Sequence, residues 1–226
     1  MSAARLFAST LVVLLPMALL ASCGRATHGG GRAGLRPDAI DRVLAPQVGQ
    51  AFQTKVLVLG TAHLAGYRDR LQPGHLARLL DLLAGFAPTR IAIESLPGEE
   101  IALLVARAPH DSAAAKVLDL FARRAVAAGK AMQQALATDW VMATGQANAL
   151  LRRSSLSDED RLALVGWLLA AWEFDSATLQ WSLLPSELRE RQGMILPGDV
   201  QGMLNRALQS TNETVAIAIS LARRLG

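Results

Sequence analysis

The chain has 226 residues, 51% of them hydrophobic, so it can bury a core and is excluded from the class of disordered polypeptides. Only 4% are aromatic, which leaves Leu, Ala, Val and Ile to fill that core. The formal charge is +4, but the arginines alternate with acids, as at Arg68, Asp69 and Arg70, which describes solvated helix faces and argues against a nucleic-acid partner.

The N-terminus reads as an export signal. Arg5 precedes an apolar stretch from Leu6 to Leu19, short for a membrane span and suited to the hydrophobic region of a secretory leader. It runs into Leu20, Ala21, Ser22 and Cys23, which resembles a bacterial lipobox, and Cys23 is the only cysteine in the chain. That resemblance implies cleavage before Cys23, a diacylglyceryl thioether on its sulfur and acylation of the new amino terminus. The chain is then a lipoprotein of the bacterial cell envelope, held to membrane lipid by more than one acyl chain. Residues 1–22 are the expected signal peptide. Residues 23–37, containing GRATHGGGRAGLR, form a flexible Gly-rich tether. His28 lies in that tether, where nothing fixes it for a metal. Residues 38–226 form the expected folded domain.

Lys55 to Leu59 is a continuous apolar run with β-branched residues, predicting a parallel strand covered on both faces. It stops at Gly60 and delivers His63 three residues later. A polar loop from Ala65 to Gln72 carries the only tyrosine, Tyr67. The pattern then predicts a helix from about Pro73 to Leu83, with Leu76, Leu79, Leu80 and Leu83 on one face. Arg90 to Glu94 reads as a second buried strand, completing a βαβ unit.

Beyond Pro97 the pattern is helical: Glu99–Ala106, Ser112–Leu136 and Asp139–Leu151. Ser157 with Asp160 resembles a capping box opening a helix from Asp158 to about Leu184, and Trp167, Trp172 and Trp181 read as core anchors. Asn212 caps a final helix from about Glu213 to Leu225. The expected fold is therefore α/β, a small parallel sheet with a large inserted helical region, predominantly helical by residue count.

In a parallel sheet, ligands bind at the carboxyl ends of the strands. His63 follows the first strand and Glu94 ends the second, so neighbouring strands would bring the two side chains to one metal ion, water or substrate. A crossover helix begins on the same edge, which adds Asn212 and Glu213, and its dipole favours an anion there. Each residue also has a structural explanation: a turn histidine bonded to a carbonyl, a glutamate paired with arginine, a helix cap, an acid in a first turn. His75 and His110 read as surface or loop residues.

VLVLGTAHL followed by FAPTRIAIES resembles a bacterial family of unknown function within the TraB, Tiki, ChaN and erythromycin-esterase-like superfamily. Gly60 and His63 match its G-x-x-H turn, Glu94 matches the glutamate ending the next strand, and STNE at 210–213 resembles a later Arg-Asn-Glu segment, with Thr211 in place of the arginine. The resemblance implies a central sheet and one of several chemistries: metal-dependent peptide hydrolysis, ester hydrolysis, or haem binding. For hydrolysis of a peptide, ester or other small molecule, His63, Glu94 and Glu213 form the implied catalytic set. His63 and Glu94 would then hold a divalent metal ion, and Asn212 and Tyr67 contact substrate. For haem, Tyr67 and His63 are the implied ligands. The remaining alternative is a binding lipoprotein, for haem or a protein, without catalysis. Similar proteins continue into a further strand, so the resemblance also implies a sheet that lacks its last strand and exposes an edge.

Overall fold

The computed structural model describes residues 5–6, 55–190 and 196–226. Apart from Arg5 and Leu6, the expected signal lies outside the described residues, as do Cys23 and the tether, including His28. The chain divides into two units, one of residues 1–11 and 61–226 and the other of residues 12–60.

In the second unit, Lys55 to Gly60 has no regular secondary structure. The expected strand at Lys55–Leu59 is absent: Val56 and Val58 are 76% and 89% exposed, and no strand pairs with the run among the described residues. A strand of this composition is stabilised by burial on both faces, and without that cover the apolar run stays irregular.

The fold class is accordingly corrected from α/β to mostly helical. Among the described residues, β-structure amounts to a two-residue parallel pairing of β1 (Arg5–Leu6) with β2 (Arg90–Ile91), Arg5 opposite Arg90 and Leu6 opposite Ile91. No βαβ unit forms. The expected strand Arg90–Glu94 ends at Ile91, and Ala92 to Pro97 continues as irregular chain.

The helices follow the apolar periodicity closely. A 3₁₀ turn at Pro73–Leu76 leads into α1 (Ala77–Phe86), which buries Leu80 and Leu83. Next come α2 (Gly98–Arg107) and α3 (Ser112–Val117), the latter capped by Asp111, whose carboxylate accepts from the N–H groups of Ala113 and Ala114. A π turn at Leu118–Ala122 separates α3 from α4 (Arg123–Ala135). Asp139 caps α5 (Trp140–Leu151), and Ser157 caps α6 (Asp158–Ala170).

Helix α6 is the centre of the main core. It buries Leu162, Leu164, Val165, Leu168 and Leu169 around most of its circumference, as expected of a helix surrounded by others. Helices α4 and α5 pack on it, together with α7 (Phe174–Ser182). After α8 (Ser186–Glu190), α9 (Gly198–Leu208) adds Val200, Leu204 and Ala207 to the same core. Trp181, almost fully buried, donates its indole N–H to Asn205 Oδ1 at 2.9 Å, tying α7 to α9.

The single helix expected from Asp158 to Leu184 breaks at Trp172. That residue has φ of 61°, left-handed backbone that a bulky residue adopts only when its surroundings demand it. The turn is closed by Trp172 N–H to Leu169 O at 2.9 Å and Glu173 N–H to Leu168 O at 2.8 Å, which satisfies the last carbonyls of α6. The indole compensates by packing against the bare backbone of Gly129 on α4, where a Cβ would lie 2.1 Å from Trp172 Cδ1.

The C-terminal segment begins at Asn212, winds as a π turn over Thr214–Ile219 and ends as α10 (Ser220–Leu225). Ile217 and Leu221 pack with Leu80 and Leu83 of α1, and Leu64 joins the same cluster. An ion pair between Arg224 and Asp81 lies over this contact. The segment is thus held against α1 and leads to no sheet edge. No helix among the described residues is long and apolar enough to cross a membrane.

Candidate functional site

His63 immediately precedes a 3₁₀ turn, Leu64–Tyr67, with its own backbone still extended. Leu64 is drawn into the cluster of α1 and the C-terminal segment, so the side chain before it is carried to the start of that segment. There His63 Nδ1 lies 2.9 Å from Glu213 Oε1, and the backbone N–H of Leu64 donates to Glu213 Oε2 at 3.2 Å. Both oxygens of one carboxylate are therefore engaged by consecutive residues. Glu213 is fixed from its own side by Asn212, whose Oδ1 accepts from Val215 N–H at 3.0 Å and caps the turn.

An ionised carboxylate is acceptor-only, so Nδ1 is the donor and Nε2 of the neutral ring keeps its lone pair. The His63 side chain is 88% exposed against 32% for Glu213, which leaves Nε2 open to solvent. The hydrogen bond to Glu213 raises the His63 pKa above its ordinary 6.5, aided by the Coulomb attraction of the same carboxylate and, more weakly, by Glu94. Glu213 is lowered, first by its own backbone N–H and then by His63 and Leu64.

Glu94 is the residue expected to meet His63. Among the described residues no hydrogen bond joins the two, and Glu94 acts on the ring through space from an exposed bend at 94–95. Tyr67 closes the 3₁₀ turn with an exposed side chain. His75 accepts a hydrogen bond from Gln72 N–H at 3.2 Å, a local turn contact, and His110 is exposed.

The chain has no match. Comparison with known families, with characterised proteins and with solved structures returns nothing similar to it. What the arrangement can do is therefore argued from its own groups.

A zinc site is built from three or four converging protein donors, and among the described residues no group of three or more His, Cys, Asp or Glu is gathered in that way. The ring nitrogen and carboxylate that do meet are spent on each other. The His63–Glu213 pair does not by itself make up such a zinc site. Tyr67 and His63, the ligands implied for haem, are both exposed, and neither lines the cavity beside Trp172.

That cavity, about 440 Å³, is where sequence reasoning missed polar groups. Ile93, Ser95 and Leu96 line it from one side, the π turn at Leu118–Ala122 from another, and Trp172 to Ser176 from a third. Burial pushes the carboxyls of both Glu173 and Asp175 up, against a hydrogen bond from Gly98 N–H to the first and from Ser95 to the second. The signal for it was present: Glu173 and Asp175 interrupt an otherwise apolar run around Trp172 and Phe174, where unpaired acids are costly.

Proposed function

We propose that the chain is an exported, lipid-anchored envelope protein whose domain hydrolyses an ester or peptide bond with His63 as general base and Glu213 as its partner. The observation that carries this reading is the 2.9 Å contact of His63 Nδ1 with Glu213 Oε1. A carboxylate on Nδ1 fixes the ring and its tautomer and stabilises the imidazolium that forms when Nε2 takes a proton from water. The exposed position suits a large substrate, since nothing encloses the ring.

Two further features support the reading. Cys23 stands where a lipobox cysteine stands, at the end of a leader-like apolar stretch. GTAH and TNE, the segments that resemble motifs of the TraB, Tiki and ChaN superfamily, supply the two partners of the contact although 150 residues separate them. The resemblance contributes these motifs and not an architecture, because the sheet it implied is absent.

The purified chain should hydrolyse a member of an ester or peptide panel, and His63→Ala should lower that rate by about 100- to 10,000-fold. Glu213→Gln should keep a fraction of it, since the amide can still hold the ring. Absence of hydrolysis by the native chain across both panels, or full activity in His63→Ala, would reject the assignment.

A further inference from the structure

The cavity between the Ile93–Leu96 segment, the π turn and the start of α7 lies apart from the dyad, and its lining is unbalanced in charge. Asp119 and Arg123 neutralise each other in an ion pair of 2.7 Å. Glu173 and Asp175 then remain against one guanidinium, that of Arg124, which stands 5.8 Å over the Phe174 ring and attracts Asp175. Glu173 Oε1 is used by Gly98 N–H at 2.8 Å. Among the described residues no second hydrogen bond reaches the Glu173 carboxylate, and Trp172 Nε1 is a buried side-chain atom without a partner. That indole nitrogen is wedged against Gly129, so it is no donor to the cavity.

The rim is apolar. Leu120 and Phe121 line the cavity, yet they are 61% and 72% exposed, placed side by side by the π turn. Folding gains little from an aromatic ring left in water, whereas a ligand body laid across it removes that surface from solvent. Inside, Ile101 and Leu96 extend the apolar wall. A volume of about 440 Å³ accommodates a small molecule, since such sites run from about 300 Å³ upward.

We propose that this cavity binds a small organic ammonium with an apolar body, Glu173 and Asp175 receiving the N–H groups while Leu120 and Phe121 cover the body. The cation supplies the charge the lining lacks. Desolvation that disfavours two nearby carboxylates becomes favourable once a cation lies between them. An anion of the same shape meets both acids and is repelled.

The test uses the full chain and three probes of equal size: phenethylammonium, phenethyl alcohol and phenylacetate. Calorimetry and tryptophan fluorescence should both register saturable binding of phenethylammonium alone. Asp175→Asn and Glu173→Gln should each weaken it about tenfold or more, the scale of a hydrogen bond to a charged group. Phe121→Ser, on an exposed rim position that leaves the core untouched, should weaken it about threefold and decides the case if an acid variant fails to fold. Equal binding of the three probes, no saturable binding, or unchanged affinity in Phe121→Ser and the folded acid variants would overturn the assignment. None of these substitutions touches His63 or Glu213, so the hydrolysis test and this one fail independently.

Discussion

Two glycines in helix interiors offer substitutions with opposite expected signs. At Gly129, in the middle of α4, an added Cβ would sit 2.1 Å from Trp172 Cδ1, 2.5 Å from Nε1 and 2.9 Å from the carbonyl oxygen of Leu169. The last neighbour is backbone of the central helix and cannot swing away, and the first two belong to a ring already held at a left-handed φ. Overpacking of this kind costs about 1–3 kcal/mol or more, against about 1 kcal/mol returned by replacing Gly with Ala in a helix. At Gly145, on the exposed face of α5, a Cβ meets nothing within 4 Å, so only the propensity gain of about 0.5–1 kcal/mol applies. Gly129→Ala should therefore melt below the native chain and Gly145→Ala above it, with each kcal/mol worth about 2–4 °C in a domain of this size. Thermal melts followed by circular dichroism measure both, and tryptophan emission of Gly129→Ala should shift to the red as Trp172 is pushed from its seat. A Gly129→Ala chain that melts at or above the native temperature would show that Trp172 does not rest on that backbone and would undo the account of the α6–α7 break.

Further outcomes follow from the dyad and the leader. Because Glu213 holds the His63 pKa above 6.5, the contribution of protonated His63 to stability is fully present below about pH 6.5 and is lost as pH rises through the raised value. The lowered Glu213 makes the opposite contribution, present above its ordinary 4.5 and lost as pH falls through the lowered value. Glu213→Gln should bring the His63 ring titration, followed by NMR, down towards 6.5, and an unchanged titration would refute the contact. Activity needs the neutral ring, so its rise with pH should move to lower pH in the same variant. Cys23→Ser should abolish incorporation of labelled acyl chains in a bacterial host, and retained labelling would refute the lipid anchor.

The helices were legible because their apolar spacing and caps are local. Ser157 Oγ accepts from Asp160 N–H at 3.0 Å and Asn212 caps its turn, both at positions that sequence marks as starts. The break at Trp172 was not legible, since neither Gly nor Pro signals it. It arises from packing against Gly129, a residue 43 positions away in sequence. Lys55–Leu59 misled for a related reason: a short apolar run specifies a strand only where a partner and cover exist, and those are tertiary facts. His63 and Glu213 were both singled out through a sheet edge that is not there. What joins them is the packing of Leu64 with Ile217 and Leu221 and the N-terminus of a helical segment.

Both sites depend on irregular backbone, which explains why a helical fold can hold them at all. The π turn at Leu118–Ala122 presents Leu120 and Phe121 to the cavity, and the π turn at Thr214–Ile219 begins directly after Glu213. A π turn adds a residue to the helical circuit and so shifts the side chains on one side of it out of the regular ridge, towards positions a straight helix would bury or stack. The irregular chain from Ala92 to Pro97 serves the two places together, with Ile93 and Ser95 on the cavity and Glu94, between them, acting on the His63 ring. The regular helices supply the burial that keeps these segments in place, and the polar groups stand where helical hydrogen bonding is interrupted. In this chain the residues to examine for chemistry are therefore the ones that periodicity leaves unexplained: the turn before Leu64, the bend at Glu94, the acids flanking Phe174 and the segment that opens at Asn212.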